Sequence, residues 1–202
     1  MKLKNVKLGS LFELRTAKGR VYLHYIAQVK PSNFSTILRV LPGFYPERPA
    51  PTELQAIAKL PEQFFTQFTP LPGCVLFHEA IFEEVGWHPI DRFSPPTHMR
   101  GYEVGGAGYE DYFVGWSIVD IEVLKPKIVQ TLTPAQKKLS PHKLSNPETL
   151  RKDLEAGFSL ESWDPIKAHN LKVGKNIPTV FDDAKALLAR ARSGVHNATP
   201  KD

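Results

Sequence analysis

Three apolar, β-rich runs open the chain: Ser10–Thr16, Val21–Val29 and Phe34–Leu41. Between them lie Ala17-Lys18-Gly19-Arg20 and Lys30-Pro31-Ser32-Asn33, both turn-forming. This pattern predicts a three-stranded antiparallel meander. In the second run, Val21, Leu23, Tyr25, Ala27 and Val29 share one face by the period of two, and Tyr22, His24, Ile26 and Gln28 share the other. The first set is the expected core face. The third run reads as a more buried strand with Arg39 set in it.

Pro42-Gly43 ends that strand, and Pro46, Pro49 and Pro51 predict a stiff extended connection. Pro46-Glu47-Arg48-Pro49 reads first as a rigid surface loop and second as an SH3-type ligand. A short helix is expected from Thr52, with Thr52 as cap, Gln55 completing the box, Leu54, Ile57 and Ala58 inward, and Pro61 as the stop. Cys74–Phe82 predicts a strand. Residues 83–112 look least regular, with a loop tip at Gly105–Gly108. Tyr112–Val123 is apolar on both faces and predicts a central strand, the last strong one.

The remainder reads as helical. Thr133 caps a helix with Pro134 at its first position and Gln136 three residues after the cap. A second helix starts at Asn146-Pro147-Glu148, with Leu150, Leu154 and Phe158 inward and Gly157 at its end. A third runs from Thr179 toward Gly194, with Asp182 and Asp183 at its positive end and Arg190 and Arg192 at its negative end. The fold expected is α+β: a twisted antiparallel sheet, or a partly closed barrel, with C-terminal helices packed on it. Residues 1–164 form the expected single domain, β-rich over 8–124 and helical over 133–158. Residues 165–202 are an extension with one amphipathic helix.

Composition narrows the function classes. The net charge is +5 over 202 residues, but it is uneven. Residues 1–60 hold 10 Lys/Arg against 3 acids, residues 61–125 hold 3 against 10, and residues 126–202 hold 13 against 8. Basic flanks can pair with an acidic middle inside one fold. Lys2, Lys4 and Lys7 come nearest to a basic patch, and a solvated strand edge accounts for them, so nucleic acid is not the expected partner. No apolar run has the length of a spanning helix and no signal peptide is apparent, so no membrane is expected. Cys74 is the single cysteine, which excludes an internal disulfide and points to a cytoplasmic location.

No catalytic signature stands out. The histidines form neither HxH nor HExxH, and there is no CxxC; His78-Glu79, His88, His98, Asp120 and Glu122 could join a metal site only through the fold. Gly115-Trp116-Ser117 lacks the second glycine of a nucleophile elbow, and Gly105-Gly106-Ala107-Gly108 lacks the lysine and helix start of a phosphate loop. No metal, cofactor or catalytic residue is therefore expected. The candidate binding residues are Trp87, His88, Tyr102, Tyr109, Glu110, Asp111 and Tyr112, because exposed aromatics mixed with acids suit a recognition surface. The plain alternative is that the tryptophans are core anchors, favoured for Trp116, and the acids a solvated rim.

Several short motifs carry a resemblance. They are Gly9-x-x-Phe12-x-Leu14, Tyr22-x-x-Tyr25-Ile26, Ile37-Leu38-Arg39-Val40, Tyr45-Pro46, Phe64-Phe65, Pro70-Leu71, Val85-Gly86-Trp87-x-Pro89-Ile90, Trp116-Ser117-Ile118 and the helical Leu150–Gly157. In this order they resemble the bacterial immunity protein 26 family over residues 8–160. Residues 165–202 have no counterpart, and the Gly-rich stretch near Gly105 departs from the pattern. The resemblance implies a small cytoplasmic protein that binds and neutralises a polymorphic toxin from neighbouring bacteria. Part of that group carries a phosphotriesterase label, which gives a second expectation, a small hydrolase. A third is an interaction domain with no toxin partner. The acidic middle favours a cognate protein toxin with a basic, substrate-binding face, such as a nuclease.

Overall fold

The computed structural model describes residues 6–29, 35–68, 82–105, 112–142 and 147–173. The chain divides into two compact units. The first comprises Met1–Gly101, Ser117–Lys127 and Leu132–Trp163; the second comprises Tyr102–Trp116, Ile128–Thr131 and Asp164–Asp202.

The first unit is built on a five-stranded antiparallel sheet. Its strands are β1 (Ser10–Thr16), β2 (Gly19–Val29), β3 (Ser35–Val40), β4 (Phe64–Phe68) and β5 (Phe82–Trp87), in the order β4-β3-β2-β1-β5. The meander of β1, β2 and β3 is the one the sequence predicts. Its first turn is tight: Gly19 has φ +128°, and a Cβ there would lie 2.8 Å from the carbonyl oxygen of Tyr45. The turn is tied by Lys18 N–H donating to Thr16 Oγ1 (3.1 Å) and by Thr16 Oγ1 donating to the Gly19 carbonyl (2.6 Å). β4 and β5 are the two ends of the strand order, so the sheet stays open and does not close into a barrel.

Both faces of this sheet are buried, which corrects the expectation of one core face. On one face Phe12, Leu14, Val21, Leu23, Tyr25, Leu38 and Val40 pack with Leu150 and Leu154 of helix α3 (Pro147–Glu155). On the other, Leu11, Tyr22 and Leu41 pack against Leu54, Ile57 and Ala58 of helix α1 (Pro51–Ala58). Ile26, Val29 and Ile37 extend the second face against Met99 and Ile121. The polar His24 and Gln28 among the second-face residues of β2 disguise its burial in the sequence, although Tyr22 and Ile26 beside them are apolar. The cap of α1 is Ala50, not Thr52; Pro51, with its fixed φ, takes the first helical position. The carboxylate of Glu53 accepts the Ala50 N–H (2.8 Å). Helix α2 (Pro134–Lys137) starts as the sequence predicts: Thr133 Oγ1 accepts from Gln136 N–H, and Gln136 Oε1 accepts from Thr133 N–H.

A second sheet orders β6 (His98–Gly105), β7 (Tyr112–Asp120) and β8 (Lys125–Val129), with β9 (Lys172–Val173) pairing in parallel with β7. β7 is the central strand expected. The irregular segment of the sequence therefore contains two strands, β5 and β6; Glu83 and Glu84, both exposed on an edge strand, break the apolar alternation that would have marked β5. β8 was not expected either. The second unit also holds α4 (Pro165–Ala168), capped by Asp164, whose carboxylate accepts from Ile166 and Lys167 N–H. The predicted strand at Cys74 meets the described residues only at Phe82, and the Gly106–Gly108 part of the loop tip and the third helix lie outside them. No helix among the described residues is long and apolar enough to cross a membrane.

Candidate functional site

Trp87 closes β5 opposite Ser10 of β1 and is 52% exposed. Exposed indoles are usually loose; this one is fixed. Its Nε1–H donates to the Leu8 carbonyl (2.8 Å). Gly9, at φ +94°, lies directly under the ring, and a Cβ there would stand 2.4 Å from Trp87 Nε1. Only glycine suits that position, on both conformational and steric grounds. The Gly9 carbonyl in turn accepts the His88 N–H (2.8 Å).

A chain of hydrogen bonds runs from this indole into the interior. The Trp87 carbonyl accepts from Gln55 Nε2 (2.9 Å), and Gln55 Oε1 pairs with His88 Nδ1 (2.5 Å). An amide oxygen can only accept, so the His88 proton sits on Nδ1. The His88 carbonyl lies 3.0 Å from Nε2 of His24, whose Nδ1 lies 3.1 Å from Arg39 Nη1. Arginine can only donate, so neutral His24 carries its proton on Nε2 and gives it to the His88 carbonyl. His24 and Arg39 are fully buried.

Arg39 is held on every side. Nη1 also donates to the Ala58 carbonyl (3.2 Å), Nη2 to the Leu60 carbonyl (2.6 Å) and Nε to the Glu62 carboxylate (3.1 Å). Its Cζ lies 3.6 Å from the centre of the Phe93 ring, a close cation–π contact. Burial, then the charges of Arg39 and His88, push the His24 pKa down to about 4, against the backbone hydrogen bond to His88. Burial also lowers that of His88, with Lys59, Arg39 and Arg92 acting in the same direction. Both nitrogens of His24 are engaged, so the imidazole positions its neighbours.

A second polar cluster shares this face of the sheet. Glu13 is fully buried and accepts from Arg48 Nε (2.9 Å), Arg48 Nη2 (3.2 Å), Arg15 Nε (3.2 Å) and Tyr22 Oη (3.2 Å). Arg48 also donates to Glu83 (2.6 Å). Burial tends to raise the Glu13 pKa, but the hydrogen bonds from Arg48 and Arg15 and the nearby arginine charges hold it below the usual carboxylate value. Arg48 is thus committed to Glu13 and Glu83, and Tyr45 stacks at a tilt on Tyr22 (5.5 Å). The Pro46–Pro49 segment is a rigid loop docked on this sheet by its arginine.

Of the residues the sequence singles out, Trp87 and His88 belong to the first unit and form this site. Tyr102 and Tyr112 belong to the second, where Tyr102 stacks on His169 (5.8 Å) and Lys172 lies 6.0 Å from the Tyr112 ring. Tyr109, Glu110 and Asp111 lie outside the described residues. Trp116, half-buried, packs edge-on against Phe113 (5.5 Å). Asp120 caps a turn by accepting from Glu122 and Val123 N–H. Among the described residues no three His, Cys, Asp or Glu side chains are grouped to hold a metal ion. Sequence reasoning missed Gly9, Gln55, His24 and Arg39 as parts of the site; an arginine inside an apolar strand was the one available signal.

No protein-family model, curated protein or solved structure matches the chain.

Proposed function

We propose that the chain is a cytoplasmic immunity-type protein that binds and neutralises a bacterial toxin by covering its active face. The observation that carries the reading is the fixed, half-exposed indole of Trp87 at the end of an edge strand. A rigid aromatic side chain offers a partner a large contact area at little entropic cost, which is how interface hot spots work. The acidic charge of residues 61–125 supports a partner with a basic face, such as a nuclease. Glu110 and Asp111 are the further acidic candidates that the sequence names.

A tagged pull-down from the native host's lysate tests this. Wild type is expected to retain one stoichiometric protein with a toxin-like C-terminal domain, and the triple variant Trp87→Ala, Glu110→Lys, Asp111→Lys to lose it. Equal retention by the triple variant overturns the assignment of the surface, and no specific retention by wild type overturns the immunity reading.

A further inference from the structure

We propose that the β1–β2 turn holds a phosphate-class anion, inorganic phosphate or a small phosphate monoester, between Arg15, Lys18 and Arg20. This goes beyond the toxin-binding reading and does not rest on it. The turn forms one wall of a recess of about 370 Å³, lined by residues 15–20 and by Pro46. That volume lies in the range of small-molecule sites, roughly 300–1,000 Å³. Among the described residues, three of the lining side chains are cations and none is an acid.

Their donors are only partly used. Arg15 gives Nε to Glu13 and Nη2 to Glu83. Arg20 gives Nη1 to the Pro46 carbonyl (2.6 Å); its Nε lies 3.3 Å from Glu13 Oε1, yet is buried without a hydrogen-bond partner. Lys18 Nζ lies over the Phe44 ring, 5.8 Å from its centre. Among the described residues, Arg15 Nη1, Arg20 Nη2 and Lys18 Nζ thus have no acceptor. Arg15 and Arg48 pair with Glu13 and Glu83, Arg20 Nε lies 3.3 Å from Glu13, and Glu155 is the further carboxylate, accepting from Ala17 N–H (2.7 Å). Among the described residues Lys18 is the lining cation that no carboxylate pairs, and its charge leaves room for an anion.

The frame is stiff. Arg20 N–H donates to the Tyr45 carbonyl (2.7 Å) and the Arg20 carbonyl accepts from Tyr45 N–H (2.9 Å), so the backbone of Arg20 is fixed, and its guanidinium is tied to the Pro46 carbonyl through Nη1. Arginine forks beside a lysine suit a multi-oxygen anion, because each oxygen can accept from a different donor.

Titration calorimetry of the full chain with sodium phosphate and with glycerol 3-phosphate, each at matched ionic strength in chloride, tests the site. Saturable binding is expected, weakened tenfold or more in Lys18→Glu and in Arg20→Gln; the tighter ligand then tells the free ion from the ester. Lys18→Glu removes no hydrogen bond of the fold, and its melting temperature without ligand is the control for folding. Absence of saturable binding to wild type, or equal affinity in well-folded Lys18→Glu, overturns the proposal.

Discussion

Arg39 on β3 donates to Nδ1 of its cross-strand partner His24 on β2, 3.1 Å away, and this one bond decides the tautomer that reaches the Trp87 segment. Protonation of His24 would replace that bond with two facing cations. The folded pKa of about 4 lies below the ordinary 6.5, so the unfolded chain takes up a proton first as the pH falls. The contribution of His24 to stability is therefore present above pH 6.5 and is lost as the pH drops toward 4, by roughly 3 kcal/mol across that range. Urea denaturation at stepped pH measures this. His24→Gln is expected to flatten the dependence; an equally steep loss in that variant contradicts the account.

Replacing Arg39 strands its partners. Arg39→Met leaves the Glu62 carboxylate, the Ala58 and Leu60 carbonyls and His24 Nδ1 without their donor. The expected cost is about 3 kcal/mol in chemical denaturation. Arg39→Lys recovers less than half, because an ammonium cannot serve that fork of acceptors.

Glu13 works in a separate pH window. Its pKa is held below the ordinary 4.5, so its contribution is present above that value and lost as the pH falls through the folded one. Glu13→Gln is expected to destabilise by about 3 kcal/mol at pH 7, leaving Arg48, Arg15 and Arg20 facing one another. A loss below 1 kcal/mol would make the cluster incidental.

Gly9→Ala probes the support under the indole. The positive φ and the 2.4 Å approach to Trp87 Nε1 both oppose a side chain. A cost of about 2 kcal/mol is expected, with a shift in tryptophan fluorescence as the ring moves. An unchanged emission spectrum would show that Gly9 does not set the pose of Trp87.

Local chemistry was legible in the sequence. Turn residues and alternation mark β1, β2 and β3, and Thr133-Pro134 and the Leu150/Leu154 stripe mark α2 and α3. The rest depends on pairing over long separations. β5 reads as irregular alone, since Glu83, Glu84 and Gly86 interrupt it, and it becomes a strand by pairing with β1. The site follows the same division: Trp87 and His88 could be chosen as an aromatic beside a histidine. The bonds that fix them come from Leu8, Gly9, His24 and Gln55, which only the folded sheet and α1 bring near.

The most direct measurement of the central claim is growth of a bacterial host expressing the captured partner together with this chain. Wild type is predicted to restore growth that the partner alone arrests, and Trp87→Ala, folded to the same melting temperature, to lose most of that protection. Arrest that wild type does not relieve, or full protection by Trp87→Ala, would contradict the account.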